Sequence, residues 1–547
     1  MGVRAVLGSA KRWFLDHYGT ADLRTLGLFR IAFGSLLAAD CVRHWRAASF
    51  AYSNDGVLSN HFHLFVSYRP SDAYHFSLFH AFSSLAEVHV LFALSLLCYL
   101  CYAVGYRTRL FAILSFVLVT SMDSRLPLVE NGGYVVVNLL ALWSMFMPTG
   151  ARFSVDALIR ASRGRPAPHA PFVSAAVACA TLNVALIYYF NVVNKSGQIW
   201  RSGDTVHYVL HLDRMVTGLA VFLRETLPLW LMKPMSWGVL VIEAMLVPLI
   251  LWPSARRITR PLAMLCMWVL HASFGVMMRL GPFSWFMMCW SLLLLGPPQW
   301  DVLERRFAPR LARLAERSEG LLRYFGLTPG APRPLPPDSP LARRLARARR
   351  ALREAVIVYL GLCALIQAIN ENKSVPAFLK HDRYVPWFVR ATIVYPRIFQ
   401  GWGMFSANPI TDDGVLAVDA ITIDGRHVDP FTGAPPDLDL TDARGAGLDQ
   451  ITQDYFNRIR LDRNKAYRKP QGLQEYLLRY HERTGRPEDE IVAFDVFWVR
   501  DQCPRPGEAK PYDNEAIPIL SYRRPGYRPR PGLPALPPPL KEQSAGE

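Results

Sequence analysis

The sequence predicts a mainly helical membrane protein, a polytopic bundle of about nine helices followed by a C-terminal α+β extramembrane domain. Half of the 547 residues are hydrophobic and only 19% are charged, with 14 Trp, 22 Tyr and 30 Phe. That balance is usual for a polytopic membrane protein and unusual for a soluble one. Apolar runs recur near 26–42, 86–104, 109–122, 133–148, 172–193, 236–252, 261–278, 283–297 and 354–370. Several fall short of the ~20 residues that cross a bilayer untilted, so their bounds are soft. The segments between them alternate between arginine-rich and arginine-poor.

That alternation sets an orientation. Arg107 and Arg109, then Arg152, Arg160, Arg163 and Arg165, then Arg256, Arg257 and Arg260 fall in alternate connections. Residues 301–353 carry thirteen Arg against five acids. By the positive-inside rule these segments and the N-terminus (1–25) face the cytoplasm, and an odd number of spans puts the C-terminal domain outside, periplasmic in a bacterial inner membrane. The net charge of +17 is therefore a topology signal, and no nucleic-acid partner is expected. No small-residue cleavage site follows an apolar core near the N-terminus, so no cleavable signal is expected.

The bundle is expected over 26–297. Within it, 63–84 is aromatic and His-rich and suggests interfacial or re-entrant pieces, while 205–235 follows Lys195 and is placed to fold over the outer mouth. A basic linker, 298–353, has a Pro-rich centre at Pro329–Pro337. Its second half, with Ser339 as N-cap and Pro340 at the first helical position, reads as an amphipathic helix resting on the inner leaflet or as a solvated linker. A last span is expected at 354–370 and the α+β domain at 371–522. There, 415–423 and 490–499 read as strands, Asp424-Gly425 as a hairpin turn, and 447–462 and 471–485 as helices. The tail, 523–547, is rich in Pro and Arg and is expected to be disordered.

Seven of the eight cysteines lie in or beside apolar runs and read as buried thiols; Cys503 stands alone. No phosphate loop, dinucleotide-binding glycine pattern, nucleophile elbow or zinc-ligand cluster is present in the sequence. The chemistry-bearing residues are instead ionisable groups inside or at the ends of spans, which are costly there. Lys195 ends a very apolar run; it is either a base in a water-poor site, a role Arg201 cannot take, or a lysine snorkelling to the interface. Arg30, Glu243 and His271 lie within spans and are candidates either to line a ligand pocket or to join helices by a buried ion pair or hydrogen bond, Arg30 with Glu243 being a plausible pair. His207 and His211, four apart, are candidates for proton transfer, and no metal is expected.

The residues Leu28-Phe-Arg-Ile-Ala-Phe-Gly34, Asn131-Gly-Gly-Tyr134 with Arg152-Phe-Ser-Val-Asp156, Lys195…Trp200, and His271 with Arg279-Leu-Gly-Pro-Phe-Ser-Trp285 come in an order that resembles the horizontally transferred transmembrane (HTTM) domain. That fold is shared by bacterial proteins and vitamin K-dependent gamma-carboxylase. Gln400-Gly-Trp-Gly-Met-Phe-Ser-Ala-Asn-Pro409 is similar to the segment just after the domain in bacterial relatives. The resemblance implies that Lys195 deprotonates a reduced quinone of the vitamin K or menaquinone type, with Asn131, Trp200 and His271 lining the pocket. In the carboxylase, oxygen uptake then yields a strong base and an epoxide. That base takes a γ-proton from a peptide glutamate, which captures carbon dioxide. The implied co-substrates are O2 and CO2, with a peptide or protein substrate on the outer face. Gly132 stands where the carboxylase has a histidine, so epoxidation is expected to survive better than carboxylation. The alternative is a non-enzymatic membrane partner or immunity-type protein that binds through its outer domain.

Overall fold

A computed structural model describes residues 3–66, 74–165, 168, 170–328, 330, 339–381, 385–439, 449–461, 469–509 and 515–540. The nine apolar runs are helices: α1 (Leu23–Arg46), α2 (Leu85–Val104), α3 (Thr108–Arg125), α4 (Gly132–Ser144), α5 (Ala175–Asn194), α6 (Leu229–Leu251), α7 (Arg256–Met277), α8 (Phe283–Ser291) and α9 (Pro340–Glu371). Among the described residues, six of them (α1, α2, α5, α6, α7 and α9) are long and apolar enough to cross a membrane. The others differ for physical reasons. Helix α3 carries Arg109, Asp123 and Arg125, and α4 and α8 are short. All but two residues of α4 are buried, so it is covered by protein rather than lipid and need not span the bilayer.

Local chemistry fixes the helix ends. Ser84 and Glu87 form a capping box on α2, and Asn131 and Ser174 cap α4 and α5 by accepting from the second backbone N–H beyond them. Helix α2 stops at Gly105 in the left-handed region (φ 74°), where a Cβ would meet the Arg30 guanidinium at 2.6 Å.

That guanidinium corrects one expectation. Arg30 does not pair with Glu243. Fully buried, it donates to the carbonyl oxygens of Ala103, Thr149 and Arg152 at 3.0–3.2 Å and to that of Phe153. Its fork of donors is used on carbonyls that the end of α2 and the 149–153 turn leave without helical partners. Arg30 is a clamp at the end of the bundle where α2 meets the 149–153 turn.

The basic half of the linker is also different from expectation. Ser339 caps and Pro340 begins α9 as expected, but the helix runs unbroken for 32 residues to Glu371. The basic stretch is therefore coaxial with the last span and is not a separate surface helix. The Pro-rich centre, apart from Gly330, lies outside the described residues, as do 67–73 of the His-rich segment.

Beyond α9, the helix Trp387–Val394 packs back on α9 through Val389 and Ile393, which are buried with Cys363. The sheet comes next: β1 (Asp412–Thr422), β2 (His427–Val428), β3 (Ile491–Gln502) and β4 (Glu515–Arg523), antiparallel in the order β2-β1-β3-β4. Gly425, at φ 84°, makes the expected β1–β2 turn. Strand β4 has no counterpart in the sequence reading. It contains Pro518, which argues against a central strand, and β4 is an edge strand where proline is tolerated. The tail corrects a third expectation. Arg523 donates to Pro537 O at 2.8 Å, and Leu540 N donates to Ser521 Oγ at 3.2 Å, so 524–540 folds back along the edge of β4. Residues 541–547 lie outside the described residues. Helices Gln450–Leu461 and Lys469–Leu478 join sheet to bundle, with Phe50 meeting Tyr455 and Tyr476 edge-on.

Candidate functional site

Helix α5 ends at Asn194, and Lys195 is its C-cap (φ −83°, ψ 59°). The chain turns there, so the side chain leaves the helix end into the protein and does not snorkel to water; Lys195 is only 8% exposed. Its Nζ lies 2.5 Å from Oε2 of Glu243, which is itself buried on the facing helix α6. Nζ also sits 4.8 Å from the Trp200 ring centroid, a cation–π contact. Burying two charges is tolerated only when they are paired in good geometry. The pair meets that condition.

Trp200 is carried on the one-turn helix Gln198–Ser202 and donates from Nε1 to Phe405 O at 2.8 Å. Two further bonds hold the C-terminal segment over the site: Gly197 N donates to Ala407 O (3.0 Å) and Ile199 N to Asn408 Oδ1 (3.0 Å). A Cβ on Gly197 would lie 2.0 Å from Asn408 Oδ1, so this close approach requires glycine.

Lys195, Trp200, Glu243, Asn131 and Gly132 line one cavity of about 390 Å³. Val239, Phe274, Phe283, Met404 and Phe405 make much of its wall apolar, and Arg214, Gln450 and Asp454 form a polar side. Asn131 is doubly engaged. Its Oδ1 caps α4 by accepting from Gly133 N (2.8 Å), and its Nδ2 donates to Asp454 Oδ2 (2.9 Å). Gln450 also donates to Asp454, whose burial raises its pKa against those bonds. Arg43 Nη1 donates to Gln450 Oε1 at 2.7 Å, tying this helix to α1. Across the cavity, Asp413 accepts from the backbone N of Arg214 (2.8 Å) and from its Nε. Burial pushes the Asp413 carboxyl up to about 6, with Arg214 opposing. At Gly132, the space a side chain would take belongs to Met404, whose Sδ lies 3.3 Å from the Cβ position.

The other sequence candidates fall elsewhere. His271 is buried behind the wall, with its ring 5.3 Å from Phe283 and 6.0 Å from Phe274; its Nε2 is 2.7 Å from Tyr188 OH, and Nδ1 has no hydrogen-bond partner. The rings of His207 and His211 lie 4.3 Å apart, tilted by 45°, and do not line the cavity. His207 Nε2 donates to Pro504 O (2.9 Å) and His211 Nδ1 to His207 O (2.8 Å), which anchors the outer segment to the sheet domain. Burial lowers His211 to about 4, so it is neutral at physiological pH. Arg30 is at the opposite end of the bundle. Met404 lies in the 400–409 motif, Gln450 and Asp454 in the expected helix 447–462 and Arg214 in 205–235, but the sequence assigns none of them to the site. The signals available for that wall were the 400–409 motif, which carries Met404, and Gln450 with Asp454, four apart on one helix face.

A helical bundle with, among the described residues, six helices able to cross a bilayer and a buried ion pair at one end defines an integral membrane protein of bundle architecture. A family model described as the HTTM domain matches residues 18–300, just over half of the chain, and the chain belongs to the HTTM domain family. Among curated proteins and among solved structures, none matches the chain. The matched region holds Lys195, Glu243 and His271, whereas Met404, Gln450 and Asp454 lie beyond it.

Proposed function

We propose that this membrane protein is a quinol-dependent epoxidase related to vitamin K-dependent gamma-carboxylase, with Lys195 as its base. One observation carries the reading: a buried lysine–glutamate pair opens onto a largely apolar cavity at the mouth of the bundle. The cavity's volume falls in the ~300–1,000 Å³ range of small-molecule sites. Its apolar wall suits an aromatic head group, and Thr205 Oγ1 on that wall is buried without a partner, a hydroxyl free for a quinol oxygen.

A bound quinol supplies an acidic hydroxyl and, with oxygen, the net conversion of quinol and O2 into epoxide and water. The chain's part is proton handling and exclusion of water. In the dry site the proton shared by Lys195 Nζ and Glu243 Oε2 can rest on the carboxylate, which leaves an amine able to accept another. Trp200 holds the Lys195 ammonium over its ring, and the Gly403–Asn408 segment screens the pair from solvent. Carboxylation of a peptide glutamate with CO2 is not part of the proposal, because Met404 fills the space beside Gly132.

Incubation of purified protein with reduced menaquinone and oxygen tests the proposal. Epoxide from the wild type and none from Lys195→Ala is expected; equal turnover by both would refute a lysine base. A second reading has one observation in its favour: Glu243 already neutralises Lys195, so the pair also serves a purely structural tie between α5 and α6 in a non-enzymatic partner protein. In that case no quinol is consumed by any variant.

A further inference from the structure

The helix Trp387–Val394 and its approach contain a feature that the quinol reading does not use. Tyr359 OH lies 3.0 Å from Thr392 Oγ1, and Tyr359 is twelve residues before the end of α9, ~18 Å down its axis. The outer end of α9 is level with that of α5, since Asn194 Nδ2 donates to Asn372 Oδ1 (3.3 Å). The segment therefore descends along the last span to hydrocarbon depth. Its outward faces fit that placement: Phe378 is 79% exposed, Trp387 71% and Phe388 48%. In water such a patch is a liability, and in a bilayer it is satisfied.

Between this segment and α9 lies a separate cavity of about 350 Å³. Ile366, Ile369, Leu379, Val385, Pro386 and Val389 wall it, and its polar members are Asn370 and His381 at the outer end of α9. Asn370 Oδ1 already accepts from His381 N at 3.0 Å, so the interior offers little to a polar ligand. We propose that this cavity is a lipid site that takes one acyl chain of an outer-leaflet phospholipid, with the head group at the His381 end. The walls and the position select the occupant: Ile366–Asn370 lie within ~8 Å of the outer end of α9, so an apolar slot that opens near the head-group boundary and runs down toward Val389 is filled by an acyl chain. The site is independent of the Lys195 cavity and of the quinol reading.

The test uses the full-length protein in phosphatidylethanolamine vesicles containing a phospholipid with a photoreactive diazirine near the end of one acyl chain, with adducts mapped by peptide mass spectrometry. Adducts on 366–369 and 385–389 are expected at several times the level on the exposed α7 residues Leu265 and Val269. Ile369→Trp, which fills the slot, should lower them about fivefold and leave the α7 adducts unchanged, the control for folding and insertion. A milder filling variant, Val389→Leu, should lower them partly. Labelling at 366–389 no greater than on α7, or indifferent to both variants, overturns the site. Loss of labelling with excess menaquinone but not with excess unlabelled phospholipid overturns the acyl-chain assignment in favour of a prenyl chain.

Discussion

Lys195 and Glu243 are legible in the sequence as isolated charges in apolar surroundings, but their pairing is not. Charge alone nominated Arg30 for Glu243; which helices are neighbours is decided by packing, and α5 faces α6 while Arg30 is consumed by carbonyls. Removing one member of a buried pair strands the other, at ~3–5 kcal/mol. Lys195→Ala should therefore lower thermal stability in detergent, whereas Lys195→Met with Glu243→Leu, which removes both charges at similar volume, should recover most of the loss. A single variant as stable as wild type would mean the pair is not buried as described. Gly132 is the second residue with a defined consequence. A histidine there must displace Met404, an overpacking cost of ~1–3 kcal/mol. Gly132→His should be destabilised by that amount in thermal unfolding, and Met404→Ala added to it should restore stability without conferring carboxylation.

At the scale of elements, continuous apolar runs located these nine helices, because lipid-facing and core-facing positions are both apolar in a membrane bundle. They did not separate the six helices long enough to cross a membrane, of which α1 and α5 are mostly buried, from the short α4 and α8, whose length is compensated by protein cover. Strand β4 went unread because Pro518 masks it, and the tail because composition does not reveal an edge strand waiting to be covered. Strand β1 carries a testable link to the outer segment. Asp413 is held at about 6, above its unfolded ~3.9. The folded state thus binds this proton more tightly, and the associated stability is full below ~3.9 and lost as pH rises through about 6. The stability of wild type relative to Asp413→Asn, read from denaturation midpoints, should fall between pH 4 and pH 6 by up to about 3 kcal/mol, then level off. A flat difference across that window would show that Asp413 is not the titrating group.

For the whole molecule, the cavity is assembled from both halves of the chain: the family domain supplies Lys195, Glu243 and Trp200, and the C-terminal region supplies Met404, Gln450 and Asp454. Motif reading reached Lys195 and Trp200 and, through the 400–409 motif, the segment of Met404; that Met404, Gln450 and Asp454 share a wall with the pair depends on how the domain docks. The arginine alternation predicts that this wall faces outside. Cysteines introduced at Arg347 and Glu488, both exposed, should differ in intact cells: a membrane-impermeant maleimide labels Glu488→Cys and spares Arg347→Cys, and the reverse pattern would invert the orientation. The central claim is that the buried pair performs quinol chemistry, and the most direct measurement is epoxide formation from reduced menaquinone under oxygen by wild type and by the stable Lys195→Met/Glu243→Leu variant in parallel. The wild type should form epoxide, and the folded double variant none. Equal epoxide from both, or none from the wild type with any quinol, contradicts it.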